Sequence, residues 1–226
     1  MPVWFIFYLC KNLILDIIHP LAQQYAEAHT SPEDELLQEI AAATRAHHPH
    51  HHMLSGHLQG KLLEMISRMI RPRRVLEIGT FTGYSALCLA KGLAADGQLH
   101  TIERREEDAG TAKAYFDRSV FADRIILHTG DALEIVPGLD ESWDLVFIDA
   151  DKVSYTEYFT LVLPKLRQNG FILADNIFFH GQVLDEAVKN KSAKAVKAFN
   201  EFIQAREDID KMMITLRDGL YLLRKL

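Results

Sequence analysis

From Arg73 onward, short runs of β-branched and aliphatic residues alternate with longer stretches whose apolar positions recur at helical spacing. That alternation predicts a parallel sheet covered by helices on both faces. The runs expected as strands are Val75 to Ile78, Leu99 to Glu103, Ile125 to Thr129, Leu145 to Ile148 and Phe171 to Ala174. Helical patterns lie between them at Tyr84 to Leu93, Glu107 to Val120, Tyr155 to Leu163 and Ser192 to Ala205. The last segment breaks this rhythm. Met212 to Leu216 and Leu220 to Leu223 flank Arg217-Asp218-Gly219, and Asp-Gly is a strong hairpin signal, so the sheet is expected to end in an antiparallel pair. Upstream, Ser31-Pro32-Glu33-Asp34-Glu35 reads as an N-cap followed by proline and acids in a first helical turn, which makes residues 19–72 a helical preface to the sheet.

Composition narrows the function classes. The chain has 226 residues, 48% of them hydrophobic, enough to bury one large core, and residues 19–226 are expected to form a single domain. A net charge of −6 gives no long-range attraction for a polyanion, which disfavours general nucleic-acid binding. The two cysteines, Cys10 and Cys88, form no CxxC pair, so a reducing, cytoplasmic setting is expected. Residues 1–18 are apolar, but Lys11 and Asp16 interrupt them short of the roughly 20 residues that span a bilayer. They are expected to be an arm packed on a neighbouring subunit or a start codon placed too early, with no membrane association.

Arg74 to Ser85 runs strand, glycine-rich turn, helix. In a doubly wound sheet the crevice beyond the strands' carboxyl ends holds the ligand, and turn glycines let backbone approach it. A dinucleotide site needs Gly-x-Gly-x-x-Gly to seat a pyrophosphate on the helix N-terminus, whereas this turn offers only Gly79 and Gly83. S-adenosylmethionine carries no phosphate; its ammonium, sulfonium and ribose diol call for carboxylates and hydroxyls. Glu77, Thr80, Tyr84 and Ser85 around the turn are candidates to supply them. Glu103, ending the second strand, lies where such a site places an acid against ribose hydroxyls, and Gly130-Asp131-Ala132 is placed to border an adenine. Taken singly, each feature also reads as an ordinary turn or an acid paired with Arg104 or Arg105.

Phe147-Ile-Asp149-Ala-Asp151-Lys152 ends the fourth strand and Leu173-Ala-Asp175-Asn176 the fifth. Asp149, Asp175 and Asn176 can therefore converge at one point of the crevice as an incomplete shell of hard oxygens, suited to Mg2+ and also to Mn2+ or Ca2+. Strand-end Asp and Asn residues also commonly cap loops and helices.

Together Val75 to Ser85, Phe147 to Lys152 and Asp175-Asn176 resemble the metal-dependent class I O-methyltransferases that include catechol and caffeoyl-CoA O-methyltransferases. The resemblance runs from about His19 to the C-terminus. It implies a Rossmann-like sheet of seven strands, mostly parallel with the last strand antiparallel. It also implies metal ligation by Asp149, Asp175 and Asn176, with Asp149 beside the cofactor and Lys152 as general base. Ser55, in Met53-Leu54-Ser55, resembles the segment that covers the methionine end of the cofactor. The expected reaction is methyl transfer from S-adenosylmethionine, leaving S-adenosylhomocysteine, to a hydroxylated aromatic small molecule, and a homodimer is implied. The chemistry agrees independently. A cation on both oxygens of a vicinal diol lowers the pKa of the attacking hydroxyl, and a lysine kept neutral by burial and by the cation's field takes its proton.

Other readings stay open. A nicotinamide oxidoreductase shares the architecture but lacks its third glycine here, and a non-catalytic binding module is possible if Lys152 is merely a surface lysine. The basic run Lys189, Lys191, Lys194 and Lys197 is either a solvated face or a seat for the phosphates of a CoA ester or of tRNA, some relatives methylating a hydroxylated uridine there. His47 to His52 is either a zinc or nickel ligand run or a solvated loop. His180, in Phe178-Phe179-His180-Gly181, is either a loop residue or a substrate contact.

Overall fold

The computed structural model describes residues 17–226, so all but Ile17 and Ile18 of the apolar arm, and Cys10 with it, fall outside the described residues. Three helices come first: α1 (Pro20–Ala28), α2 (Glu35–His47) and α3 (Gly56–Ile70). The preface is therefore helical as expected, but its second helix starts later than Ser31. Asp34 is the N-cap, its side chain accepting from Leu37 N at 2.9 Å, because only a residue one position before the helix can reach those free N–H groups.

Strands and helices then alternate as β1 (Arg74–Ile78), α4 (Tyr84–Ala90), β2 (Gln98–Glu103), α5 (Glu106–Phe116), β3 (Ile125–Thr129), α6 (Ala132–Gly138), β4 (Trp143–Ile148), α7 (Tyr155–Val162), β5 (Leu166–Asp175) and α8 (Lys191–Gln204). The chain closes with β6 (Ile209–Ile214) and β7 (Leu220–Lys225). The seven strands lie in the order β3-β2-β1-β4-β5-β7-β6. All neighbours pair in parallel except β7, which runs antiparallel to both β5 and β6. The order reverses between β1 and β4, which opens a crevice at their carboxyl ends.

Period-two alternation sorts the central strands onto two cores. Leu145, Phe147 and Leu173 face one, with Leu63 and Leu89 of α3 and α4. Val146, Ile148 and Ile172 face the other, with Phe159 and Phe199 of α7 and α8. Residues 145–148 are fully buried, as a strand covered on both faces must be, and this fixes the height at which Asp149 leaves the sheet. Two glycines shape the same edge. Gly79 sits at φ 101°, where a Cβ would strike the Asp149 carbonyl, and Gly83 at φ 88° would push one into Phe116.

A buried histidine pair joins β2 to β3. His100 Nδ1 lies 3.1 Å from His128 Nε2 with the rings stacked. Burial, then the neighbouring His128, pushes His100 down to about 4 from 6.5, and burial lowers His128 as well. Because the folded state holds these rings neutral, their contribution is complete above pH 6.5 and is lost as pH falls toward 4. Allowing for the partial solvent access of the pair, the loss should be about 1–2 kcal/mol. Urea midpoints measured between pH 6.5 and 4 should therefore fall less steeply for His100→Gln than for the unaltered protein; parallel slopes would contradict this.

Candidate active site

A cleft of about 510 Å3 opens at the carboxyl ends of β1, β2, β4 and β5. Of the residues expected from sequence, Ser55, Gly79, Thr80, Tyr84, Ser85, Glu103, Asp131, Ala132, Asp149, Lys152, Asp175 and Asn176 line it. Two do not. Gly83 is the N-cap of α4, packed toward Phe116, and Glu77 is wholly buried behind the wall. Glu77 accepts from Thr101 Oγ1 at 2.5 Å with one oxygen, while Oε1 has no hydrogen-bond partner. Burial raises Glu77 to about 8, against the pull of the Ser85 and Thr101 hydroxyls, so it is largely protonated at neutral pH.

Glu103 is held from two sides. Phe81 N donates to its Oε2 at 2.7 Å and Arg105 N to its Oε1 at 3.0 Å, which aims the carboxylate at the end of β2. Asp131 caps α6, accepting from Leu133 N at 2.9 Å, so the residue expected beside an adenine also starts a helix. Tyr84 donates to Glu33, tying the first helix of the glycine motif to the segment before α2.

On the other side of the cleft the acids crowd together. Asp175 ends β5 with 3% exposure. Its Oδ2 accepts from Gln59 Nε2 at 2.7 Å and its Oδ1 from Asn176 N at 2.8 Å. Burial, then the charge of Asp149, raises Asp175 to about 7. Lys152 Nζ donates to Asp149 Oδ1 at 2.8 Å and to Tyr155 OH at 2.6 Å, and Tyr155 OH donates on to Asp175 O at 3.0 Å. Burial favours the free amine, yet Asp149, Tyr155 and Asp175 outweigh it and raise the pKa of Lys152. Burial alone therefore does not keep Lys152 neutral; the Asp149 carboxylate at 2.8 Å is the main partner that holds it as an ammonium.

The remaining sequence candidates sort by their partners. His48 Nδ1 accepts from His50 N at 3.0 Å, which leaves Nε2 as the donor to Asp108 at 2.9 Å. That histidine is a structural link, and among the described residues no group of three or more His, Cys, Asp or Glu stands together to hold a metal. The expected set has only two carboxylates, with the Asn176 amide completing it. His180 sits at the cleft mouth with its side chain 71% exposed. Lys189, Lys191 and Lys194 are exposed. No described helix is long and apolar enough to cross a membrane.

Gln59, Tyr155, Arg217 and Asp218 are not among the site residues expected from sequence, although Arg217 and Asp218 line the cleft. Asp-Gly marked the turn there as a hairpin, and that signal could have flagged its neighbours as residues brought to the crevice.

Sequence and fold are similar to those of known proteins. The O-methyltransferase family profile matches residues 27–226. The chain belongs to the O-methyltransferase family. This O-methyltransferase is 34% identical over 162 residues to a catechol O-methyltransferase of Niastella koreensis, covering 70% of this chain and 73% of that one. It is 30% identical over 218 residues to caffeoyl-CoA O-methyltransferase 1 of Eucalyptus globulus, covering 91% and 88% of the two chains. Its fold matches the O-methyltransferase TomG of Streptomyces achromogenes, solved in complex with SAM, with a TM-score of 0.83, 33% identity, and 91% and 96% of the two chains covered. The expected fold and enzyme class hold.

Proposed function

We propose that this O-methyltransferase moves the methyl group of S-adenosylmethionine to one oxygen of a small aromatic molecule with two adjacent hydroxyls, using a divalent cation held by Asp149, Asp175 and Asn176. The observation that carries the reading is the crowding of Asp149 and Asp175 at adjacent strand ends, beside Lys152 and inside the same cleft as Glu103. Catechol and caffeoyl groups, for which the two relatives are named, both present such a pair of hydroxyls.

The residues suit both a sulfonium cofactor and a divalent cation. Glu103, preset by two backbone N–H groups, offers acceptors to a ribose diol, and the cleft wall from Gly79 to Ser85 adds the Thr80, Tyr84 and Ser85 hydroxyls beside Phe81, with no lysine or arginine among those residues. S-adenosylmethionine would supply the methyl group as a sulfonium electrophile. Asp175, raised to about 7 by burial and by Asp149, marks a place that is short of positive charge, and its hard oxygens suit Mg2+, Mn2+ or Ca2+. A bound cation would lower the pKa of the acceptor hydroxyl and offset the anions that now hold Lys152 charged.

Lys152 then has a defined task. With Asp149 and Asp175 compensated, Nζ would be a base able to take the acceptor's hydroxyl proton, and Tyr155 OH fixes where that nitrogen sits. The cleft walls would serve to align nucleophile and methyl donor, and no covalent enzyme intermediate is needed.

The cofactor half of the proposal is tested by calorimetric titration with S-adenosylhomocysteine. Binding should be measurable, NADH should not bind, and Glu103→Gln should weaken the S-adenosylhomocysteine complex by roughly 10- to 100-fold, the equivalent of losing charge-assisted hydrogen bonds. An unchanged affinity would remove Glu103 from the cofactor site.

A further inference from the structure

The turn between β6 and β7 places Arg217 at φ 50°, a left-handed conformation that glycine adopts freely and a residue with a Cβ does not. Its guanidinium accounts for an arginine at that position. Nη2 donates to Leu54 O at 3.0 Å, and Nη1 donates to Ser55 O and to Gln59 Oε1, the latter at 3.0 Å. Gln59, only 1% exposed, uses the other end of its amide, Nε2 donating to Asp175 Oδ2 at 2.7 Å. Arginine offers only donors and an ionised aspartate only acceptors, so an amide with its oxygen toward Arg217 and its nitrogen toward Asp175 satisfies both. A glutamate would set a like charge against Asp175, and a leucine would leave donor and acceptor unpaired.

We infer that Arg217 and Gln59 are positioning residues that bridge the two halves of the cleft, locking the Leu54–Ser55 segment on the cofactor side to Asp175 on the acceptor side. The identity of those halves rests on the proposed function; the bridge itself does not. Both Nη groups of Arg217 are committed to protein acceptors, which argues against a role as an anion receptor for the acceptor molecule. Movement of residues 54–59 withdraws a donor from Asp175, so order on one side is transmitted to the other through one buried amide.

The test needs no ligand at first. In Arg217→Gly, which relieves the left-handed strain while removing the bridge, amides of residues 54–59 should exchange with deuterium roughly tenfold faster in the ligand-free protein, with global melting within a few degrees of the unaltered protein. S-adenosylhomocysteine should bind roughly tenfold more weakly, and the Mg2+ concentration for half-maximal thermal stabilisation should rise by a similar factor. Arg217→Lys, which keeps the charge but loses the fork, should recover only part of either effect. Gln59→Leu should act on both ligands alike, and the Gln59→Leu/Arg217→Gly double variant should be no worse than the more impaired single one. Unchanged exchange at residues 54–59 in Arg217→Gly, or additive losses in the double variant, would overturn the bridge. If the unaltered protein bound no S-adenosylhomocysteine, the functional reading would fail while the exchange result still decided the bridge.

Discussion

Replacing Lys152 with methionine should lower kcat for methyl transfer by about 10²- to 10⁴-fold, the usual contribution of a positioned general base, with S-adenosylhomocysteine affinity within about threefold of the unaltered protein. Methionine keeps the length and apolar stem of the side chain while removing the amine proposed to take a proton from the acceptor. The structure adds a second signature. Lys152 pairs with Asp149 at 2.8 Å, so its loss leaves a carboxylate without its partner. Metal-free Lys152→Met should melt lower than the unaltered protein, and Mg2+ should restore more of its stability than it adds to the unaltered protein. A variant whose turnover survives intact would return Lys152 to the role of a structural ion pair. It would also favour the reading of a site that binds without catalysing.

Asp175→Asn is expected to have the other large effect. The change removes one of two crowded carboxylates and replaces a hard anion with a neutral amide, so turnover should fall at least about 10²-fold and the Mg2+ concentration needed for half-maximal activity should rise at least about tenfold. The pH response checks the cause. Asp175 is raised to about 7 in the folded protein from an ordinary 3.8, so the folded state holds a proton that the unfolded chain gives up, and stability falls as pH rises through that window. Melting temperatures of the metal-free variant should lose that part of the slope between pH 4 and pH 7. Steady-state kinetics against Mg2+ and melting against pH together separate a lost ligand from a damaged fold.

Most of the sheet was legible because the central strands are near-continuous apolar runs bounded by turn residues, and the run Ile125 to Thr129 is β3 to the residue. The Asp-Gly turn likewise gave the antiparallel β6–β7 pair, although β6 begins three residues before Met212, at Ile209, where polar and apolar positions alternate weakly. α6 escaped notice because it is seven residues long and contains Pro137, a helix breaker in any pattern reading. At the site, acids at strand ends could be found from position alone, since strand topology sets where they emerge. What could not be read were contacts between distant segments, such as Arg217 to Leu54, 163 positions apart. Nor was the charge state of Lys152 readable, which depends on Asp149, Tyr155 and Asp175 at once. Glu77, inside the glycine motif, is wholly buried and accepts from Thr101 Oγ1, a burial that residue type and spacing do not reveal.

The most direct measurement is methyl transfer from labelled S-adenosylmethionine to caffeic acid, run in buffer, with EDTA, and with Mg2+ restored in excess of the chelator. Transfer that EDTA abolishes and Mg2+ restores is the predicted result, and it would join cofactor, cation and acceptor class in one assay. Transfer that proceeds equally well in EDTA would contradict the role given to Asp149, Asp175 and Asn176.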